Sequence, residues 1–275
     1  MQKREFVYQA RAGRVVFGPG SLQHLEREVL QLGSERALIL CSPEQKETGE
    51  AIAARLGARA AAVFDRAVMH VPLELAKEAR ALARELNADC AIAVGGGSTI
   101  GLGKAIALES DLPILAVPTT YAGSEMTPIY GITDAGLKKT GTDLRVLPKT
   151  VIYDANLTMS LPVALSVTSG INAIAHAAEA LYSRDENPVT SLMAEEGIAA
   201  LARALPLIVA NSHNVEARAE AQYGAWLCGT VLGSVGMALH HKLCHTLGGS
   251  FNLPHAQTHT IVLPHALAYN RQAAP

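Results

Sequence analysis

Asn172 and His176 stand four residues apart in "SGINAIAHAAEAL" (Ser169–Leu181), a run that reads as helix. Both side chains therefore share one helical face. Downstream, "HHKLCHTLGGSFNLPHAQTH" (His240–His259) holds five of the ten histidines in the chain. His241 and His245 share a face, while His240 points about 100° away and reads as a bystander. "LGG" reads as the end of that helix, and "LPH" as a loop that brings His255 back. Imidazoles gathered in this way bind metals or exchange protons. At position 172 a divalent metal would be better served by Asp, because an amide offers oxygen without charge. Cys41, Cys90, Cys228 and Cys244 lack C-x-x-C spacing and read as reduced structural thiols in a cytosolic protein. Cys244 stands out only because it lies among the histidines.

A second chemical motif lies earlier. "AVGGGSTIGLGKAIAL" (Ala93–Leu108) reads as a strand, three consecutive glycines, a serine and a helix. Glycine lets the backbone approach an anion and adopt positive φ, and the helix start offers free N–H groups. The motif is a phosphate or pyrophosphate cradle, with neither the G-x-G-x-x-G spacing nor that of a Walker A loop. "VPTTYAGSEMTP" (Val117–Pro128) follows the next buried strand, and its hydroxyls could line the same crevice at the strand C-termini. "LKKTG" (Leu137–Gly141) places paired lysines in a turn.

The elements that must position these groups change in character along the chain. "GRVVFG", "ALILC", "AAVFD", "CAIAVG" and "PILAVPT" read as strands, several of them apolar throughout, as in sheets buried on both faces. Helical stretches alternate with them: "SLQHLEREVLQLG" with Ser21 as N-cap, "EQKETGEAIAARLG", and "PLELAKEARALARELN". Repeated βα units of this kind imply a parallel, Rossmann-like sheet covered by helices. After "TVIYD" (Thr150–Asp154) almost every signal is helical, including one long small-residue-rich stretch, "VEARAEAQYGAWLCGTVLGSVGMALHHKLCHTLG". The expected division is an α/β dinucleotide-binding domain over residues 1–157 and an all-α catalytic domain over 158–275. The helical half reads as C-terminally incomplete.

Composition narrows the function classes. The chain has 275 residues and a formal net charge of −2, which gives no basic surface for nucleic acid. No apolar run is long enough to span a membrane, and the charged start has no secretory h-region. A cytoplasmic location is expected.

The glycine loop, "PTT", "KK", "LPKTVIYD" and the HxxxH…PH region together resemble the iron-containing (group III) alcohol dehydrogenase superfamily. Within it, "GGGSTIGLGKAIAL", "TYAGSEMTPIYGIT" and "GINAIAHAAEALYS" resemble the maleylacetate reductase branch. The resemblance implies that Gly95, Gly96, Gly97 and Ser98 hold the pyrophosphate of NADH or NADPH. Thr119, Thr120 and Ser124 would line its path, and Lys139 would approach the nicotinamide ribose. Gly101 stands where many relatives carry Asp, and Ser42 lies near the place where NAD-preferring members carry an acid. The metal ligands of metal-dependent relatives fall on Asn172, His176, His241 and His255, with His245 a further active-site histidine. The implied activity is NAD(P)H-dependent reduction of maleylacetate to 3-oxoadipate in aromatic-compound degradation, by a homodimer.

Because Asn172 removes the only anion of the ligand set, the expectation is a histidine-rich pocket for a dicarboxylate that works without metal. His241 and His245 lead as substrate contacts and proton donors, with Lys138 and Arg145 as candidates for the second carboxylate. The alternatives are a metal-dependent alcohol dehydrogenase acting on a small alcohol, a lyase of the dehydroquinate-synthase type, and a truncated inactive dinucleotide-binding module. Activity with a small alcohol and iron would mark the first, a phosphate-bearing substrate and a firm zinc site the second, and NADH binding without turnover the third.

Overall fold

The computed structural model describes residues 5–11, 13–251 and 253–272. They divide into two compact units, one built on 13–120 and 124–158, the other on 5–11, 121–123, 159–251 and 253–272.

The first unit holds a six-stranded sheet. In chain order its elements are β1 (Arg14–Phe17), α1 (Leu25–Gln31), β2 (Ala37–Leu40), α2 (Lys46–Leu56), β3 (Ala60–Phe64), α3 (Leu73–Glu85), β4 (Cys90–Gly95), α4 (Gly97–Ser110) and β5 (Ile114–Pro118), followed by β6 (Ile129–Asp134), β7 (Leu137–Thr142) and β8 (Thr150–Tyr153). The sheet order is β1-β8-β5-β4-β2-β3, and every pair in it is parallel. β2, β4, β5 and β8 are buried along their whole length, which explains their unbroken apolar sequences. Leu25, Val29, Ile52 and Leu56 pack with Ile39, Ile92 and Val94. Ala76, Ala79, Leu102 and Ile106 pack with Leu38, Leu40 and Ala91 in a separate cluster. Alternating strand residues thus feed two cores, with α1 and α2 on one face and α3 and α4 on the other. Because the helices after β2 and β4 cover opposite faces, a crevice opens at the C-terminal ends of these neighbouring strands.

Two local expectations fail in this unit. Ser21 does not cap a helix; it lies in a 3-10 turn and donates its hydroxyl to the Tyr153 carbonyl at 2.9 Å. The lysine pair is not in a turn either, because β6 and β7 form an antiparallel hairpin with Lys138 and Lys139 on its second strand. Its turn residues Ala135 and Gly136 both have positive φ, 47° and 79°, the backbone that a tight hairpin requires.

The second unit contains α5 (Val163–Ala180), α6 (Pro188–Ala210), α7 (Val215–Leu232), α8 (Leu239–Phe251) and α9 (His255–Asn270). Asn187 and Thr190 form a capping box at the start of α6. Small residues let the helices approach closely: a Cβ on Gly224 would meet the Gly197 carbonyl oxygen at 2.9 Å. Arg218, fully buried, donates to the carbonyls of Ser212 and Leu161 and to the Ser166 hydroxyl. The segment Tyr121–Gly123 belongs here and not with the α/β residues around it. Tyr121 is buried in the helical core, and a Cβ on Gly123 would lie 2.9 Å from the Gly229 Cα.

The long helical stretch is broken between Leu232 and Leu239, and α8 does not stop at Gly248–Gly249 but runs through them to Phe251. His255 is the first residue of α9 and not part of a loop. Among the described residues, no helix is long and apolar enough to cross a membrane. All four cysteines are buried and free.

Candidate active site

The glycine loop leaves the C-terminal end of β4 and enters α4. Gly95 has φ +150°, and a Cβ there would meet the Thr99 Oγ1 at 2.5 Å. A Cβ on Gly96 would meet the Thr120 side chain at 2.9 Å. Gly96 is the N-cap of α4 and supplies no side-chain cap, so the opening N–H groups of the helix, from Gly97 and Ser98 onward, stay available for an anion. The Thr119 N–H bonds the Gly95 carbonyl at 3.1 Å and fixes the loop against the next strand. This cradle, which side chains would fill, fits a pyrophosphate. Gly101 has its own reason to be glycine, since a Cβ there would lie 2.9 Å from the Val71 Cγ2.

The remaining residues expected at the cofactor are placed differently. Thr120 borders Gly96. The Ser124 hydroxyl and carbonyl both accept from Lys104 Nζ, at 3.3 and 2.7 Å. Lys104 is wholly buried and also donates to the carbonyls of Thr127 and Ile129. Burial lowers its pKa to about 7, with Glu125 pulling the other way. Lys139 is exposed and paired with Asp134 at 2.9 Å. Arg145 is paired with Asp143 at 2.8 Å. A cavity of about 540 Å³ in this unit, lined by Gln23, Thr48, Arg55 and Asp154 among others, shares no residue with the glycine loop.

In the helical unit the histidines do converge. The ring centroids of His176 and His241 are 4.9 Å apart, those of His241 and His245 6.0 Å, and those of His245 and His255 6.0 Å. His176, His241 and Asn172 are buried, whereas His245 and His255 are exposed. Asn172 Oδ1, His176 Nδ1 and His241 Nε2 are buried without a hydrogen-bond partner.

Two residues that the sequence reading passed over complete the cluster. Glu179, on α5 three residues after His176, accepts from His241 Nδ1 at 2.7 Å and from the N–H groups of Ala238, His240 and His241. One carboxylate thus caps the start of α8 and orients His241. Burial pushes its carboxyl up, but the bonds from His241 and the backbone outweigh that effect and hold it below the usual carboxylate range. A lone acid in an apolar helix, one turn from His176, was the available signal. His259 is the other. Its ring lies 4.3 Å from His255 and 4.8 Å from both His240 and His241. The i, i+4 spacing from His255 was visible in the sequence.

His240 is no bystander, since its Nε2 lies 2.9 Å from His259 Nδ1. Burial, aided by the neighbouring His241, lowers its pKa to about 4. His176 and His259 are also held well below the ordinary histidine value, again by burial first and then by the other imidazoles. These three rings are neutral at pH 7, so the expected supply of imidazolium cations is not available from His176. Burial raises the Cys244 thiol to about 11, which leaves it protonated and without a nucleophilic role.

Imidazoles with buried, bare nitrogens are donors a divalent ion accepts, and an outer carboxylate on His241 is the usual support for such a ligand. The set fits a metal ion; what it lacks is an anionic ligand.

Residues 12–155 match the profile of the iron-containing alcohol dehydrogenases, and residues 166–275 that of the C-terminal part of the Fe-containing alcohol dehydrogenase family. The maleylacetate reductase of Burkholderia cepacia is 65% identical over 98% of this chain, which covers 76% of that protein. The crystal structure of maleylacetate reductase from Agrobacterium tumefaciens superposes with a TM-score of 0.97 at 57% identity, over 99% of this chain and 78% of that one. The enzyme of the same name from Rhizobium sp. strain MTP-10005 gives 0.97 at 56%, over 100% and 78%. The expectation that the site does without metal draws no support from these matches or from the donor set. With profiles matched in both of its halves, the chain belongs to the iron-containing alcohol dehydrogenase family.

Proposed function

We propose that the chain is an oxidoreductase that reduces maleylacetate to 3-oxoadipate with NADH or NADPH. The observation that carries the reading is the buried cluster of Asn172, His176 and His241, in a chain 65% identical to a protein named maleylacetate reductase. The hydride goes to the alkene carbon β to the ketone, negative charge spreads onto the ketone oxygen, and a proton is delivered to the α carbon. One hydride and one proton are consumed per substrate.

The chain's own residues divide this work. Gly95, Gly96, Gly97 and Ser98 bind the pyrophosphate through backbone N–H groups at the start of α4. Thr119, Thr120 and Ser124 line the path of the dinucleotide, and Lys139 meets its ribose. Asn172 offers a neutral N–H donor where an acid would repel a dicarboxylate. His241, oriented by Glu179, and His245 serve the developing enolate and the proton transfer. Asn172, His176, His241 and His255 are the residues that would hold a divalent ion. When bound, such an ion polarises the ketone oxygen. The reading places the enzyme in the cytoplasm as a homodimer.

The test is oxidation of NADH, and separately NADPH, in the presence of maleylacetate, with and without prior chelation. Stoichiometric formation of 3-oxoadipate is expected. Turnover of small alcohols with no activity on maleylacetate would overturn the reading.

A further inference from the structure

We propose that the ammonium of Lys104 occupies a monovalent-cation seat, a cluster of neutral oxygens that K⁺ or NH₄⁺ would fill if the side chain were removed. The seat itself is independent of the reductase reading; only its bearing on NADH rests on that reading.

Lys104 is wholly buried, about two turns into α4. Its Nζ lies 2.7 Å from the Ser124 carbonyl oxygen, 2.8 Å from those of Thr127 and Ile129, 3.0 Å from Thr127 Oγ1 and 3.3 Å from Ser124 Oγ. Five acceptors thus surround a group with only three N–H donors. A hydrogen-bond match needs no surplus of oxygens, whereas coordination of an ion does. The Thr127 hydroxyl donates its own proton to the Ser124 carbonyl at 3.1 Å, so toward Lys104 it only accepts. Glu125 stays out of the set. Its Oε1 accepts from the Tyr153 hydroxyl at 2.7 Å, its Oε2 is buried without a partner, and it favours the Lys104 charge through its field.

The geometry selects the ion. Contacts of 2.7 to 3.3 Å exceed the roughly 2.0–2.6 Å of Mg²⁺ and Ca²⁺, which also favour carboxylates. Carbonyl oxygens that replace a hydration shell are how K⁺ is held. All the oxygens come from one short segment, Ser124–Ile129, which follows β5. A cation there draws together carbonyls that would otherwise repel one another. It also fastens the segment to the helix whose first N–H groups form the pyrophosphate cradle. Lys104 is therefore a positioning residue, acting on the dinucleotide path through the segment that carries Ser124.

The test uses the full chain carrying Lys104→Ala, which empties the seat, or Lys104→Met, which fills the same channel without charge. Urea unfolding without nucleotide is followed in KCl, NH₄Cl, LiCl and choline chloride at one ionic strength. K⁺ or NH₄⁺ at about ten times its Kd should lower the unfolding constant of Lys104→Ala about tenfold relative to choline, and Li⁺ by no more than about twofold. Wild type and Lys104→Met should stay within about twofold across the four salts. NADH affinity of Lys104→Ala, read by fluorescence titration, should fall about tenfold in choline and return to within about threefold of wild type in K⁺. A Lys104→Ala variant indifferent to K⁺ and NH₄⁺, or a Lys104→Met variant that responds as strongly, would overturn the proposal. If Lys104→Ala folds in none of the salts, ¹⁵N-lysine spectra of wild type at about pH 6 decide. The Lys104 Nζ must then carry three protons protected from exchange with water; a neutral amine, or an ammonium exchanging as in free lysine, overturns the seat. Rescue of stability with no change in NADH affinity upholds the seat and overturns its bearing on the dinucleotide path, so the two failures are told apart.

Discussion

Replacing Glu179 by Gln removes one charge from a fully buried point where two elements of the helical unit meet. Its two oxygens accept from Ala238 N at 2.9 Å, His240 N at 2.6 Å, His241 N at 3.3 Å, His241 Nδ1 at 2.7 Å and the Tyr182 hydroxyl at 3.3 Å. All five are donors, and Gln keeps one acceptor oxygen while turning an NH₂ group toward the rest. Hydrogen bonds to a buried charged group are each worth about 1.5–3 kcal/mol, and the loss of charge at the start of α8 adds roughly 0.3–1 kcal/mol. Because Gln still satisfies part of the set, the expected net loss of stability is about 3–5 kcal/mol, the usual range when one partner of a buried ionic contact is removed.

The pH dependence follows from the direction of the shift. The folded carboxyl sits below its ordinary value of 4.5, so its contribution is fully present above that value and disappears as pH falls through the folded pKa. The gap between wild type and variant should therefore be constant from about pH 5.5 upward and narrow below about pH 4.5. The same change frees the His241 ring, and loss of an orienting partner costs about 10–100-fold in activity. Urea unfolding at several pH values and kcat for NADH oxidation with maleylacetate are the assays. A variant within 1 kcal/mol of wild type at pH 7, with kcat within threefold, would refute the assignment of both roles to this residue.

Three further outcomes are expected. Gly95→Ala must carry φ +150° and a 2.5 Å approach to Thr99, so it should cost about 1–3 kcal/mol of stability and weaken NADH binding, read by fluorescence titration. Lys104→Met leaves the carbonyls of Ser124, Thr127 and Ile129 without their shared donor and should destabilise the protein by roughly 3 kcal/mol in thermal unfolding. Asn172→Asp places a carboxylate on buried surface among the histidines. Repulsion of a dicarboxylate there should raise KM for maleylacetate at least about tenfold, measured in steady-state kinetics.

The α/β unit was legible because its central strands are buried on both faces and its loop glycines sit where a side chain would clash; β4 and Gly95 show both. Hairpin β6–β7 was not, because β7 is largely exposed, β6 is only half-buried, and its turn is Ala-Gly where Asn-Gly would have announced it. Around the histidines, i, i+4 spacing found the pairs His241–His245 and Asn172–His176. It would also have found His255–His259 had α9 been extended back to His255. A loop seemed required because Gly248 and Gly249 look like a stop, yet tertiary packing carries α8 past them. His240 was misjudged for a different reason: a helical wheel shows which way a residue faces within its own helix and nothing of what another helix, here α9, presents to it. Glu179 escaped because its one trace, a lone acid in an apolar helix, does not say that the carboxylate caps another helix.

The Tyr121–Gly123 segment has a consequence for biosynthesis. Tyr121 lies in the helical core, and its hydroxyl receives a hydrogen bond from Arg218, 97 positions later. On the ribosome that tyrosine emerges long before its surroundings exist, and it waits unburied until α7 has been made. The helical half is thus not self-contained: a fragment starting at Met159 would be translated with a tyrosine-sized void in its interior and with Gly229 facing nothing where a partner backbone belongs. Attempts to transplant or express that half alone should yield an expanded, aggregation-prone chain unless the three-residue staple is supplied with it.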